Sequence, residues 1–138
     1  MTTIAFDGET LAADSRFTNG YVDDVAQKIF KLGNVYIAIA GSYSQGLLFV
    51  KWCRDRTKEK PKSTEMDDFC ALEIRDGKPY EYDEHLEPIP MSIPAAIGSG
   101  AQFAMGVMKA GLDAKKAIQI AMKLDQNTGG KIKTVKIK

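Results

Sequence analysis

Three glycine-containing dipeptides, Asp7-Gly8, Gly33-Asn34 and Asp76-Gly77, each separate two short segments of strand-like composition, and they constrain the fold of this chain more than any other feature. Such pairs favour the tight hairpin turn because both central positions tolerate positive φ, so the segments on either side are predicted to lie antiparallel. The predicted strand pairs are 2–6 with 10–14, 27–32 with 35–40, and 68–75 with 78–83. Asn19-Gly20 predicts a further turn between the first two pairs, and those four strands are expected to share one sheet.

Between the second and third pairs the period changes. Leu47, Leu48, Val50 and Trp52, followed by the basic stretch 54–60 and Pro61, predict an amphipathic helix over 43–60 that the proline ends. A strand is predicted over 93–98, and Gly100 opens the first of two helices separated at Gly111. The second, over 113–126, carries Ala114, Ala117, Ile118, Ala121 and Leu124 at helical spacing, with Asp113 as N-cap and Gly129-Gly130 as its stop. A last strand over 131–138 closes the chain. With no repeat, linker or low-complexity segment, 138 residues and an apolar fraction of 44% predict one domain over 1–138 with an ample core.

Charge excludes several partners. The 19 basic and 18 acidic residues are spread along the chain, so no electrostatic footprint for nucleic acid or an anionic membrane is present, and the lysines of 131–138 read as the solvent face of a strand. No apolar run approaches the length of a membrane helix and no leader pattern precedes the first strand, which makes the cytoplasm the expected location. Cys53 and Cys70 lack C-x-x-C spacing and clustered histidines, so free thiols are expected rather than a disulfide or a zinc site. His85, the one histidine, lies in a charged stretch and is expected on the surface, which argues against a histidine-dependent triad.

Chemistry enters at the second residue. Removal of Met1 would leave Thr2 with a hydroxyl and a free α-amine, a nucleophile and a base in one residue, and an α-amine is one of the few bases poised near neutral pH. The segments that follow are Thr2-Thr3-Ile4-Ala5-Phe6, Ala12-Ala13-Asp14-Ser15-Arg16, Lys28-Ile29, Ala40-Gly41-Ser42, Gly98-Ser99-Gly100 and Asp125-Gln126-Asn127-Thr128-Gly129-Gly130. Each is short, but their joint order and spacing resemble the proteasome β subunits and their HslV-type relatives among the N-terminal-nucleophile hydrolases, from Thr2 to about Gly130.

That resemblance implies an α+β fold, a four-layer α-β-β-α sandwich of two antiparallel sheets. It implies Thr2 as nucleophile, its own amine as proton acceptor, Lys28 beside the hydroxyl, and Asp14 holding the lysine charged and oriented. Gly41, at a strand-to-helix turn, matches an oxyanion donor. Ser99 matches a serine near the threonine amine and is also a candidate helix N-cap, and Asp125 with Thr128 completes that network, with threonine where relatives carry serine. By the same resemblance the side chain preceding the cleaved bond meets Phe17, Ala26, Phe30, Ile39 and Tyr43, an uncharged lining in which Tyr43 replaces a small residue and makes the pocket shallow.

Two departures from the resembled pattern bear on assembly and activation. Only residues 61–67 separate the first helix from the next strand, too few for the second helix of that layer, so one outer helical layer is expected to be reduced and the usual double-ring stacking does not follow. Only Met1 precedes Thr2, so activation is expected to rest on methionine aminopeptidase. The implied activity is a threonine endopeptidase without metal or organic cofactor, working as a homo-oligomer on peptides or unfolded proteins with an ATP-dependent unfoldase as partner. The alternatives are a non-peptidase amidohydrolase of the same class and a catalytically silent assembly subunit.

Overall fold

In the computed structural model, residues 2–18 and 22–137 are described. The turn expected at Asn19-Gly20 and the expected loss of Met1 fall outside them. Each of the three hairpins forms around its turn dipeptide: β1 (Thr3–Phe6) with β2 (Thr10–Ala13), β5 (Ile29–Leu32) with β6 (Val35–Gly41), and β7 (Phe69–Arg75) with β8 (Lys78–Tyr82). Between the first two lies a small ribbon of β3 (Phe17–Thr18) and β4 (Val22–Asp23). The chain then adds β9 (Ile89–Pro90), β10 (Ala95–Gly98) and β11 (Lys133–Lys136). Strands as short as β3, β4 and β9 carry no readable alternation, and none was expected from the sequence.

The first two hairpins do not share a sheet, which corrects the expectation above. β1 and β2 take β10 and β11 on their free edges, giving a four-stranded antiparallel sheet in the order β10-β1-β2-β11. β5 and β6 instead extend through β7 into a five-stranded sheet, β5-β6-β7-β8-β9. The alternation of side chains along a strand explains why two sheets are needed. Ile4, Phe6, Leu11, Ala13 and Ile97 point to one face of the first sheet and meet Ala38, Ala40, Leu72 and Ile74 of the second in a single buried cluster. Each fully buried Ile, Leu or Phe there contributes about 1.5–3 kcal/mol.

The opposite faces are covered by helices. Ala5 and Ala12 lie against Ala104 and Met108 of α2 (Ala101–Lys109) and Ala114, Ala117 and Ile118 of α3 (Ala114–Leu124). Ile37, Ile39, Phe69 and Ala71 lie against Phe49, Val50 and Trp52 of α1 (Tyr43–Arg54). Asp113 caps α3 as expected, its carboxylate accepting from the Lys116 N–H at 2.8 Å. Leu124, however, is the last residue of α3 and is 60% exposed, three residues past the buried Ala121.

α1 stops at Arg54, well before Pro61. The Asp55 carboxylate accepts from the Thr57 N–H at 3.2 Å and from the Thr57 hydroxyl at 2.5 Å, a local turn that competes with another helical turn. The connection to β7 holds one 3₁₀ turn, Ser63–Glu65, and no second helix. Cys53 and Cys70 are free, and His85 is exposed. Among the described residues no helix is long and apolar enough to cross a membrane.

Candidate active site

Two hairpins bring their open ends to the same place. In the first sheet the register Ile4↔Ala13 puts Thr2, just before β1, beside Asp14, just after β2. In the second, Lys28 immediately precedes β5 and Gly41 ends β6. The Thr2 carbonyl packs so tightly on Gly98 that a Cβ there would lie 1.9 Å from it, and Gly98 has a φ of +99° that strongly favours glycine. Thr2 is thereby fixed between β10 and the lysine.

Thr2, Asp14 and Lys28 are all buried. The Lys28 ammonium donates to the Thr2 hydroxyl oxygen, and that hydroxyl donates to Asp14 Oδ1. Lys28 also forms an ion pair with the same carboxylate oxygen at 2.9 Å. Asp14 therefore touches the hydroxyl directly as well as supporting the lysine. Burial, the largest influence, pushes the Lys28 ammonium below its ordinary value of 10.5, and the Asp14 charge opposes that shift. The other Asp14 oxygen accepts from the Gly129 N–H at 2.9 Å, so the segment after α3 closes the back of the group.

A second polar cluster adjoins the first. Asp125 Oδ2 accepts from the Ser99 hydroxyl and, at 2.6 Å, from the Thr128 hydroxyl. Ser99 also donates to the Thr2 carbonyl at 3.4 Å. The N-cap of α2 is Gly100, so Ser99 is not the helix cap and its hydroxyl serves this cluster instead. Burial raises the Asp125 carboxyl, but the hydroxyls of Ser99 and Thr128 and the Asn127 N–H outweigh it and hold the group below its ordinary 3.8. Thr3, given no role by the sequence, joins through its hydroxyl, 2.7 Å from that of Thr128. Alternation gives the physical reason: Thr3 faces the helices, on the side of the sheet where Thr128 lies.

An open cavity of about 530 Å³ lies beside Thr2, with Thr2, Lys28 and Gly41 on its wall. Of the five residues expected to line a side-chain pocket, Phe17, Ile39 and Tyr43 do so. Ala26 and Phe30 are not on the lining, and Phe30 packs instead into the cluster beneath α1. Leu47, Ser44, Asp68, Thr18 and Asn127 line the cavity without having been foreseen. They lie on a ribbon, a helix turn and two loops, and only the tertiary arrangement gathers them.

Arg16 also lines the cavity and ties its rim together. Its guanidinium donates to Asp24 at 2.9 Å and to the Gln126 carbonyl at 3.0 Å. A Cβ on Gly129 would lie 2.4 Å from that guanidinium, so Gly129, expected as a helix stop but lying four residues past the Asp125 C-cap of α3, instead lets Arg16 pass. The arrangement as a whole holds a hydroxyl between a cation and an anion at the side of an open cleft. Such a group can be deprotonated at modest cost and can attack a carbonyl carbon placed in the cleft.

No family model matches the chain, and no curated protein matches it. Solved structures do. Thiobacillus denitrificans BPH in complex with epoxomicin aligns with a TM-score of 0.75 at 19% identity, covering 97% of this chain and 96% of that one. A second structure of Thiobacillus denitrificans BPH gives 0.73 at 20% identity, over 97% and 95%. Eukaryotic HslV from Trypanosoma brucei gives 0.75 at 21% identity, over 97% of both chains. The chain shares the fold of these proteins, a mixed α/β arrangement of antiparallel sheets and helices.

Proposed function

We propose that this chain is a threonine endopeptidase of the proteasome and HslV kind, with Thr2 as its nucleophile. The observation that carries the reading is the Thr2 hydroxyl held between Lys28 and Asp14 on the wall of an open cleft. Once Met1 is removed, the Thr2 amine takes the hydroxyl proton and Oγ1 attacks the peptide carbonyl, forming a C–O bond and a tetrahedral oxyanion. The Gly41 N–H serves that oxyanion, a contact whose loss typically costs about 2.7–4 kcal/mol. The C–N bond then breaks, the proton passes to the leaving amine, and water hydrolyses the ester to regenerate Thr2.

In this reading Lys28 lowers the cost of the alkoxide, Asp14 keeps Lys28 charged, and Ser99, Asp125 and Thr128 position the amine. Phe17, Ile39 and Tyr43 receive the side chain preceding the cleaved bond. The finer fold is the four-layer α-β-β-α sandwich with a reduced outer layer, supported by the three buried clusters and by the short connection after α1. The working form is a cytoplasmic homo-oligomer, fed by an ATP-dependent unfoldase and acting on peptides or unfolded chains.

The test is cleavage of an unfolded protein and of short peptides by the Met1-free chain and by Thr2→Ala, with products identified by mass. Endoproteolytic products from the first and none from the second support the reading. Hydrolysis confined to small amides would replace it with the amidohydrolase alternative. Absence of both, in protein shown to be folded and free of Met1, would replace it with the silent assembly subunit.

A further inference from the structure

Thr3 follows the nucleophile directly, and its side chain has no part in the chemistry above. It is fully buried, and its hydroxyl oxygen lies 2.7 Å from that of Thr128. The direction of that bond follows from counting protons. Asp125, held below its ordinary value, is a carboxylate at neutral pH and only accepts, so the single hydroxyl proton of Thr128 goes to Asp125 Oδ2 at 2.6 Å. The Thr128 oxygen is left to accept, and Thr3 is the donor.

The chain of donors closes on itself. Thr3 donates to Thr128, Thr128 and Ser99 donate to the same Asp125 oxygen, and Ser99 reaches back to the Thr2 carbonyl at 3.4 Å. Thr2 and Thr3 share one peptide bond, so both ends of the chain meet on that peptide unit. Its N–H donates on the other side to Asp14 Oδ1 at 3.2 Å, the oxygen that also pairs with Lys28. The planar unit is thus gripped at its carbonyl, at its N–H and through the side chain that follows, which fixes the direction in which Thr2 leaves it.

Two glycines make room for this grip and explain the segment Gly98-Ser99-Gly100. Gly98 admits the Thr2 carbonyl. A Cβ on Gly100 would lie 2.2 Å from the Thr3 hydroxyl oxygen and 3.3 Å from that of Thr128. Gly100 has a φ of −95° and a ψ of 12°, which other residues also adopt, so glycine stands there for the approach of the Thr3 hydroxyl rather than for its own backbone.

We propose that Thr3 is a positioning residue, whose hydroxyl closes this ring and thereby holds the Thr2 amine where it takes the proton of its own hydroxyl. The inference rests on the peptidase reading above, in which that amine is the base. With the ring opened, Thr128 donates less firmly to Asp125 and more of the carboxylate charge acts on the protonated amine, which then keeps its proton to higher pH.

The test is the pH profile of Thr2 acylation by a β-lactone, followed by intact mass in Met1-free chains. In that reaction Oγ1 attacks the lactone carbonyl, the ring C–O bond breaks and the freed oxygen takes the proton. Thr3→Val keeps the branched shape and removes the hydroxyl. It is expected to slow acylation about tenfold or more and to move the acid limb of the profile to higher pH, and Thr3→Ser should restore both. A residue that only supports the fold would lower the folded fraction and leave the limb in place, so a native limb in Thr3→Val would overturn the inference. Thr3→Ala, which adds no second methyl, is read in the same way should Thr3→Val not fold. Failure of both to fold beside a folded Thr3→Ser would also overturn it, by making the hydroxyl a requirement of the fold. No acylation of the native chain would overturn the peptidase reading itself, and that is seen before any variant is made.

Discussion

At the scale of single residues, the proposed chemistry turns on one hydroxyl shared by an ammonium and a carboxylate. Lys28→Met keeps the length of the side chain and removes its charge, and is expected to slow acylation of Thr2 about 100-fold or more. The pH dependence has a definite sign. In the proposed mechanism Lys28 acts protonated, and burial holds it below 10.5, so activity should fall as pH rises through that lowered value. Asp14 opposes the shift, so Asp14→Asn should carry the alkaline limb of the kcat/KM profile to still lower pH. A limb that does not move between the two proteins would sever the proposed coupling.

Thr2, Asp14 and Lys28 were legible as candidates only through the resemblance of their segments to a known family; the sequence had them inside strands 2–6, 10–14 and 27–32, whereas each stands one residue outside a strand. Thr3, Arg16 and Leu47 were not. Their contacts cross between sheets, helices and loops, and no local spacing records them.

Among elements, Asp7 joins the first hairpin turn to the start of α3. Its carboxylate accepts from the N–H groups of Glu9 at 2.9 Å, Thr10 at 2.8 Å and Ala114 at 2.8 Å. Asp7→Ala is therefore expected to lower stability by about 1–2 kcal/mol, as losing a helix cap does. Burial raises the Asp7 carboxyl, but these backbone donors outweigh it and hold the group below 3.8. A carboxylate depressed in this way stabilises the fold fully above its unfolded value and ceases to do so as pH falls through the lowered one. The gap between native and variant chains in denaturant unfolding should thus be full at neutral pH and close in acid. The same element scale limits sequence reading: α1 ends where Asp55 turns back on Thr57, and a proline six residues later is the stronger signal in the text but not the operative one.

For the whole molecule, two antiparallel sheets were expected, but which strands share a sheet was hidden because it depends on which strand edges remain free, and β10 and β11 arrive from far along the chain to claim those of β1 and β2. A buried carboxylate helps hold the second sheet to α1 and the segment after it. Glu73, fully buried on β7, pairs with Arg56 at 2.6 Å and Arg75 at 2.7 Å and accepts from the Tyr82 hydroxyl at 3.0 Å. Glu73→Ala removes the buried acceptor of two part-exposed guanidiniums and of the Tyr82 hydroxyl, a change that costs about 1–3 kcal/mol, and the melting temperature should fall by about 5 °C or more. An unchanged melting curve would show that Arg56 and Arg75 are held by other contacts. Covalent capture is the most direct test of the proposal that this framework presents Thr2 as a nucleophile. The Met1-free chain, treated with a threonine-directed epoxyketone or β-lactone and weighed intact, should gain one probe per chain at Thr2, and Thr2→Ala should gain none. Folded, Met1-free chains that stay unmodified under conditions in which a proteasome reacts would contradict the account.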